Sequence, residues 1–273
     1  MKHSRLVLLL ALAALVAGLS DDAAAQRRFR PIPTQIDRNG TPTWEVDAEM
    51  PDELFTFVRL RYRSQWRGHA WATDYPDADL NLSYRLQQLT SMRAHPDGKI
   101  VDIEDPTLFD HPWAYMIEPG DIDLAPSEAE TLRRYMESGG FVMVDDFWGE
   151  DEWERFHYAF KQIFPNRELV ELPLEHPIFH CVYDLKEKPQ VPAIGMAQAG
   201  RLQGITFERH DSQEVHYKAC YDDKGRMMMI VCHNTDLGDG WEREGEDEWY
   251  FREFSEKKSY PLGINILFYQ FTH

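Results

Sequence analysis

The alternation of strand-like and helix-like segments between residues 54 and 164 constrains the fold more than any other feature of this chain. The β-rich runs "LFTFVRLRY", "PWAYMIE" and "FVMV" are separated by "LNLSYRLQQLTSM" and "APSEAETLRRYMESGG", whose apolar residues recur at helical spacing. The run "EDEWERFHYAFKQIF" adds a further amphipathic helix. Strands that alternate with helices predict βαβ units, and therefore an α/β fold with a mainly parallel sheet covered by helices on both faces.

The ends of these segments carry recognisable helix signals. Asp79 is available to cap the first helix, Ser127 and Glu130 stand in capping-box register, and Gly139 is a plausible terminator for the second helix. A third helix is predicted to begin near Gly149. These signals place the helices between the predicted strands.

The C-terminal part has a different pattern. The segments "EVHYKACY" and "RMMMIVCHN" predict a β-hairpin, with Cys220 opposite Met227 if the strands pair symmetrically about the turn. The last segment, "YPLGINILFYQFTH", is apolar nearly all round and has Pro261 in a plausible first turn, which predicts a buried helix. With 273 residues, 43% of them hydrophobic, we expect one large core and a single α/β domain over residues 54–273.

The N-terminal residues predict export. Basic Lys2 and Arg5 precede an apolar run and then the small residues Ala23 to Ala25, the pattern of a signal peptide cleaved after residue 25. The apolar run is shorter than the roughly 20 residues of a membrane-spanning helix. We therefore expect a periplasmic or secreted protein with no membrane span after cleavage. Residues 26–53 lack apolar periodicity and are interpreted as an extended arm.

Charge and cysteine content limit the partners and the chemistry. The formal net charge of −18, from 47 acidic and 29 basic residues, disfavours nucleic acid and anionic lipid as main partners. Three cysteines do not form a disulfide framework, and buried free thiols are expected. No cofactor is predicted.

Several ordered motifs together resemble a known family. The segments "WATDYPDADLNLSYRLQQLT", "LFDHPWAYM", "LRRYMESGGFVMVDDFWG", "LPLEHPIF" and "SYPLGINILFYQFTH" are similar to the bacterial family called domain of unknown function 4159, over about residues 54–273. The resemblance implies a three-layer α/β sandwich like that of class I glutamine amidotransferases, with a flavodoxin-like sheet and no established activity. In amidotransferases a cysteine follows a central strand, whereas the comparable strand here ends in Asp145 and Asp146. Amidotransferase chemistry is therefore disfavoured.

This aspartate pair is the first candidate site. In open α/β sheets ligands bind beyond the carboxyl ends of the strands, where Asp145, Asp146 and Trp148 are expected. Two close carboxylates could share a proton, bind a divalent cation or act as acid and base. Alternatively, either one could cap the helix that begins near Gly149.

A second candidate site is the loop "WATDYPDAD". Trp71, Asp74 and Tyr75 could frame a sugar or peptide, because aromatic side chains beside carboxylates offer both apolar contact and hydrogen bonds. In the structural alternative, Trp71 and Tyr75 cover the core. We expect Asp79 to cap the following helix and Asp74 to face the cleft.

Basic side chains and histidines offer weaker signals. Arg61 and Arg63 alternate on the first strand and could reach an anionic ligand, or they could pair with the surplus acids. His176 precedes a proline and could be a general base, a metal ligand together with Asp146, or a structural residue. His111 is interpreted as structural. No metal site is predicted with these residues.

Two functions follow from these observations. The first is a non-catalytic protein that binds an envelope carbohydrate, peptide or protein partner in a degenerate amidotransferase-like cleft. The alternative is a hydrolase that uses Asp145, Asp146 and His176, with or without a metal. The hydrolase requires His176 within about 10 Å of the aspartates.

Overall fold

A computed structural model describes residues 36–46, 54–66 and 68–273. The predicted signal peptide and most of the predicted arm lie outside the described residues. None of the helices in the described ranges combines the length and the apolar character needed to cross a membrane.

The described residues form a seven-stranded sheet with the spatial order β2-β1-β3-β4-β7-β6-β5. The strands are β1 (Val58–Arg61), β2 (Lys99–Asp102), β3 (Trp113–Ile117), β4 (Phe141–Asp145), β5 (Val170–Glu171), β6 (His216–Tyr221) and β7 (Met227–His233). The strands β2, β1, β3, β4 and β7 are parallel, and β6 and β5 continue the sheet antiparallel. This order is flavodoxin-like, so the predicted mainly parallel sheet and C-terminal hairpin are confirmed.

Helices cover both faces of the sheet. They are α1 (Asp77–Leu89), α2 (Pro126–Glu137), α3 (Gly149–Ile163), α4 (Ile194–Gly200), α5 (Leu237–Glu242), α6 (Glu248–Tyr250), a π-helical segment (Phe251–Ser259) and α7 (Tyr260–Thr272). One core layer contains the buried faces of α1, α5 and α7, and the other contains those of α2 and α3. The predicted three-layer sandwich is confirmed, whereas the specific likeness to amidotransferases stays a prediction.

Two of the predicted helix caps are wrong. Asp79 lies inside α1, where it binds the buried guanidinium of Arg59 instead of capping the helix. At α2 the carboxylate of Glu128 accepts a hydrogen bond from the Ala125 amide at 2.7 Å. The capping carboxylate is thus two residues before the predicted Glu130, because the helix begins at Pro126.

Strand β2 was not anticipated, since "KIVD" is too short to show a period.

The hairpin differs from symmetrical pairing. A register shift at Cys220 and Tyr221 places Cys220 opposite Met229, so the predicted pairing of Cys220 with Met227 is wrong. A bulge of this kind adds one unpaired residue and moves every later pair along the strand. All three cysteines are free, as expected, but only Cys220 and Cys232 are buried. The expectation of a buried thiol is wrong for Cys181, which is exposed.

Part of the predicted arm is anchored on the α/β domain. Thr41 Oγ1 donates to Asn81 Oδ1 at 2.8 Å, and Trp44 Nε1 donates to the carbonyl of Ala94 at 2.8 Å. Residues 37–46 therefore pack against α1 and the segment that follows it.

Candidate functional site: an acidic cleft

Four neighbouring parallel strands are each followed by an acidic residue that lines one cleft. Asp74 follows β1, Glu118 follows β3, Asp146 follows β4 and Asp236 follows β7. These strands are adjacent in the sheet, and the direction of strand order reverses between β1 and β3. The cleft therefore lies at the carboxyl edge near the topological switch point, where ligands bind in open α/β folds.

This acidic cleft has a volume of about 270 Å³. Its described lining residues are Thr73, Asp74, Glu118, Asp146, Trp148, Glu152, Ala193, Glu208, Arg209, Asp236, Asp239 and Arg243. Seven of these residues are acidic and two are arginines. The lining carries a surplus of negative charge.

Three of the lining acids have a left-handed backbone conformation. The φ angle is +61° at Asp74, +48° at Glu118 and +55° at Asp146, and Asn234, which follows β7, has a φ of +61°. Residues other than glycine adopt this region at a free-energy cost, and such residues cluster at functional sites. Glu118, Asp146 and Asn234 each directly follow a strand, whereas Asp74 lies in the loop between β1 and α1.

The aspartate pair is split between the core and the cleft. Asp145 is fully buried, and its Oδ2 accepts bonds from the Tyr115 hydroxyl at 2.9 Å and the Gly238 amide at 3.0 Å. Burial raises the pKa of Asp145 to about 7. Asp146 lines the cleft, and its Oδ1 accepts a bond from Trp148 Nε1 at 3.1 Å. The two carboxylates therefore have different surroundings and different partners.

Neither aspartate caps α3. The amides of residues 148, 149 and 150 donate to the side chains of Glu152 at 2.8 Å, Asn234 at 2.9 Å and Asp211 at 3.2 Å. Since these side chains satisfy the first amides of the helix, Asp146 is left for the cleft. The capping alternative for this pair is wrong.

Asp74 belongs to the cleft, as the sequence predicted. It is 8% exposed, and its Oδ2 has no hydrogen-bond partner within the described part of the chain. Its loop is held by Arg59, whose Nη1 donates to the carbonyls of Trp71 at 3.1 Å and Thr73 at 2.7 Å. The buried arginine thus fixes the backbone that carries Asp74.

Local partners compensate some of the lining acids. Arg209 pairs with Glu152, and Arg243 Nε lies 3.1 Å from Asp239 Oδ1. Glu208 Oε1 accepts the Ala193 amide at 2.7 Å. The two arginines therefore offset part of the negative charge of the lining.

Burial and mutual repulsion together raise the pKa values of three of the lining acids. The pKa values of Asp74, Asp146 and Asp236 are raised well above the usual range, first by burial and then by neighbouring carboxylates. Protonation or a bound cation would relieve this repulsion.

Other predicted ligand-binding residues lie in different places. Trp148 lines the cleft, whereas Trp71 is buried in the core with the Arg61 guanidinium 6.0 Å from its ring. Tyr75 lies 5.8 Å from the guanidinium of Arg59. Arg63 Nη2 contacts Glu128 at 3.2 Å. Trp71, Tyr75 and Arg63 are therefore not among the residues that line the cleft.

His176 lies at the opposite edge of the sheet. Its ring is 5.2 Å from that of Tyr269, and its Nε2 is 3.4 Å from the Tyr221 hydroxyl. Tyr221 pairs with Met227 at the start of β7. The length of β7, roughly 20 Å at 3.3 Å per residue, separates this edge from the cleft. The structure does not bring His176 together with Asp145 and Asp146.

The acids that sequence reasoning missed have a common signal. Glu118 is the last residue of the predicted strand segment "PWAYMIE" and directly follows β3, and Asp236 comes shortly after "RMMMIVCHN". Asp239 and Glu208 also line the cleft but do not directly follow a strand. A search for acids after each parallel strand would have found the first two, because parallel strands end at one edge.

A flavodoxin-like three-layer sandwich with a carboxylate-lined cleft at its switch point defines the structural class of this protein. A family model described as "Domain of unknown function (DUF4159)" matches residues 56–271. The chain therefore belongs to this family, as its motifs indicated. No match was found among curated proteins.

Proposed function

We propose that this protein is a non-catalytic binding protein whose acidic cleft holds a small ligand with a protonated amine. The observation that carries the proposal is the convergence of Asp74, Glu118, Asp146 and Asp236 from the segments that follow four adjacent strands. A cation placed among them gains Coulombic attraction and removes carboxylate repulsion.

A protonated amine suits the cleft better than a neutral polar group. An ammonium group donates up to three hydrogen bonds, and carboxylates accept charge-assisted bonds that are stronger than neutral ones. A volume of about 270 Å³ is slightly below the roughly 300–1,000 Å³ of drug-sized ligand sites, so the ligand must be small. An amino sugar or the terminal amine of a peptide matches this chemistry and size.

The position of His176 favours binding over hydrolysis. The proposed hydrolase needed His176 beside the aspartates as a base, and that histidine contacts Tyr221 and Tyr269 at the other edge. Asp145, the member of the pair with a pKa of about 7, is enclosed by Tyr115 and Gly238.

The predicted export signal supports an extracytoplasmic setting for this role. If residues 1–25 direct secretion, the cleft meets the periplasm or the exterior. Envelope carbohydrates and peptides that carry free amines then become accessible ligands.

A paired-ligand thermal shift experiment tests the proposal. Glucosamine and N-acetylglucosamine differ in the charge of one nitrogen, and a ligand that binds only the folded state raises the melting temperature. We expect glucosamine, putrescine or a short peptide with a free amino terminus to raise the melting temperature, and N-acetylglucosamine to have a much smaller effect. Equal shifts for the charged and acetylated sugars, or no shift with any amine at millimolar concentration, would contradict the proposal.

Matched variants locate the effect. Asp146→Asn keeps the size of the side chain and an acceptor for Trp148, but it removes one cleft charge. Asp151→Asn removes an exposed charge from the first turn of α3 and serves as the control. We expect the first variant to lose most of the amine-dependent shift and the second to keep it.

A further inference from the structure

Three carboxylates from two segments of the chain meet beside the acidic cleft. Asp74 comes from the loop after β1, and Asp239 and Glu242 are three residues apart on α5. One oxygen from each residue can be chosen so that all three lie within 4.8 Å of one another. Residues three apart on a helix share a face, so the backbone of α5 presents the last two together.

Asp74 provides a second, independent observation. The residue is more than nine-tenths buried, and its Oδ2 has no hydrogen-bond donor within residues 36–46, 54–66 and 68–273. A buried carboxylate oxygen without a partner is costly, and in native structures it calls for a specific explanation such as a bound ion.

The backbone of α5 is shaped to admit this carboxylate. A Cβ atom added at Gly238 would lie 2.4 Å from Asp74 Oδ2 and 2.8 Å from the Tyr115 hydroxyl. Any other residue at position 238 would therefore force the Asp74 carboxylate or the Tyr115 hydroxyl to shift. Asp74 is held against the first turn of α5, close to the two acids that follow.

The other two carboxylates are oriented by their own contacts. Asp239 Oδ2 accepts bonds from the Ile194 amide at 2.7 Å and the Tyr250 hydroxyl at 3.0 Å. Arg243 Nε lies 3.1 Å from Asp239 Oδ1 and 2.7 Å from Glu242 Oε2. Each carboxylate oxygen has two lone pairs, so these contacts leave room for a further bond to a cation.

We propose that Asp74, Asp239 and Glu242 form a binding site for a hard divalent cation of the size of Ca²⁺. Oxygen ligands at 2.3–2.6 Å from one Ca²⁺ ion are at most about 5 Å apart, which agrees with the spacing of this cluster. Three carboxylates with no sulfur or imidazole ligand are typical of Ca²⁺, Mg²⁺ or Mn²⁺ sites. Solvent would complete the coordination shell.

This cation site goes beyond the proposed amine binding. Asp74 and Asp239 also line the acidic cleft, whereas Glu242 lines a neighbouring cleft together with Asp77 and Glu244. The cation site therefore lies at the boundary between the two clefts. Asp146 lines only the first of them, so variants of Glu242 and Asp146 can separate the two activities.

Calorimetric titration of the full mature protein, after removal of metals with EDTA, tests the site. We expect Ca²⁺ to bind with a stoichiometry near one per chain, and Asp74→Asn and Glu242→Gln each to weaken binding at least tenfold. Glu248→Gln removes an exposed carboxylate on α6 and is the matched control, which should bind Ca²⁺ as wild type does. Circular dichroism and melting temperature establish that each variant is folded.

Several outcomes would overturn this site. No binding of Ca²⁺, Mg²⁺ or Mn²⁺ to the wild-type protein would do so, as would unchanged binding in folded Asp74→Asn and Glu242→Gln variants. Asp146→Asn separates this result from the amine proposal, because it should weaken amine binding and leave Ca²⁺ binding within threefold of wild type. Glu242→Gln should weaken Ca²⁺ binding and leave amine binding close to that of wild type.

Discussion

Arg59 and Asp79 form an ion pair inside the protein, with their side chains 0% and 1% exposed. Arg59 Nε lies 3.1 Å and 3.2 Å from the two carboxylate oxygens of Asp79. The same guanidinium donates to the carbonyls of Trp71 and Thr73, the residues that flank the start of the Asp74 loop. One buried arginine thus links strand β1, helix α1 and the loop that contributes Asp74 to the cleft.

Asp79→Asn should lower the free energy of unfolding by about 3–5 kcal/mol, because it leaves the guanidinium of Arg59 buried without its counter-charge. Urea denaturation of the purified protein measures the change. The double variant Arg59→Met with Asp79→Leu should recover much of the loss, since a buried ion pair can often be replaced by apolar side chains. A loss below about 1 kcal/mol in the single variant is typical of an exposed ion pair and would contradict the buried ion pair described above.

Asp146→Asn should raise the stability of the protein by about 1 kcal/mol while it weakens ligand binding. The substitution removes a charge that burial and the nearby Glu118 and Asp74 disfavour. Asparagine also tolerates the left-handed backbone at this position, and its oxygen can still accept from Trp148. Urea denaturation compares it with Asp151→Asn, whose exposed site should change stability by less than about 0.5 kcal/mol. Destabilisation by Asp146→Asn would contradict mutual repulsion among the carboxylates of the cleft.

Gly238→Ala should destabilise the protein by about 1–3 kcal/mol, because the added methyl group meets Asp74 and the Tyr115 hydroxyl inside a packed region. Gly195→Ala in α4 is the control, since a Cβ atom there has no neighbour within 4 Å. That control should be neutral or stabilising by about 0.5–1 kcal/mol. Thermal unfolding of both variants gives the comparison, and equal stability of the two would disprove the close approach of Asp74 to α5.

His233 should make the protein less stable as the pH falls. Burial lowers its pKa from 6.5 to about 4, and its Nε2 lies 3.1 Å from the carbonyl of Gly149 while its Nδ1 has no described partner. As the pH falls, the unfolded chain binds a proton at this histidine before the folded protein does. The stabilisation that depends on a neutral His233 is therefore fully present above pH 6.5 and is lost as the pH falls toward 4. The full shift corresponds to about 3 kcal/mol.

Urea denaturation at several pH values, for wild type and His233→Gln, measures this contribution. The neighbouring His216, Asp211 and Lys218 are unchanged in the variant, so the comparison isolates the effect of replacing the His233 ring. The unfolding free energy of wild type minus that of His233→Gln should decrease as the pH falls from 6.5 to 4. A difference that stays constant would contradict the depressed pKa of His233.

Periodicity was sufficient to predict the architecture. The run "FVMV" is typical of a strand that is buried on both faces, and "LRRYMESGG" is typical of the end of an amphipathic helix. Strands buried on both faces require helices above and below the sheet. Strand β2 was missed because it has only four residues at the sheet edge, of which only Val101 is buried. Local pattern therefore identified the long, buried elements better than the short edge strand.

The site was less predictable because its contacts are far apart in sequence. Asp74 was predicted to face the cleft because it stands in a loop, whereas the sequence left open which of Asp145 and Asp146 does so. By contrast, Asp79 looked like a helix cap, and only the fold shows that Arg59, twenty residues earlier, takes its carboxylate. The same holds for α3, where Asn234 and Asp211 accept hydrogen bonds from amides that Asp145 or Asp146 could cap in the alternative that the sequence left open.

A crystal structure of the mature protein with a bound primary amine, such as glucosamine, would test the central claim most directly. The account predicts the amine nitrogen within hydrogen-bonding distance of at least two carboxylates of the acidic cleft, with Asp146 among them. An amine that occupies any other surface while this cleft holds only solvent would contradict the assignment of the carboxyl edge as the binding site.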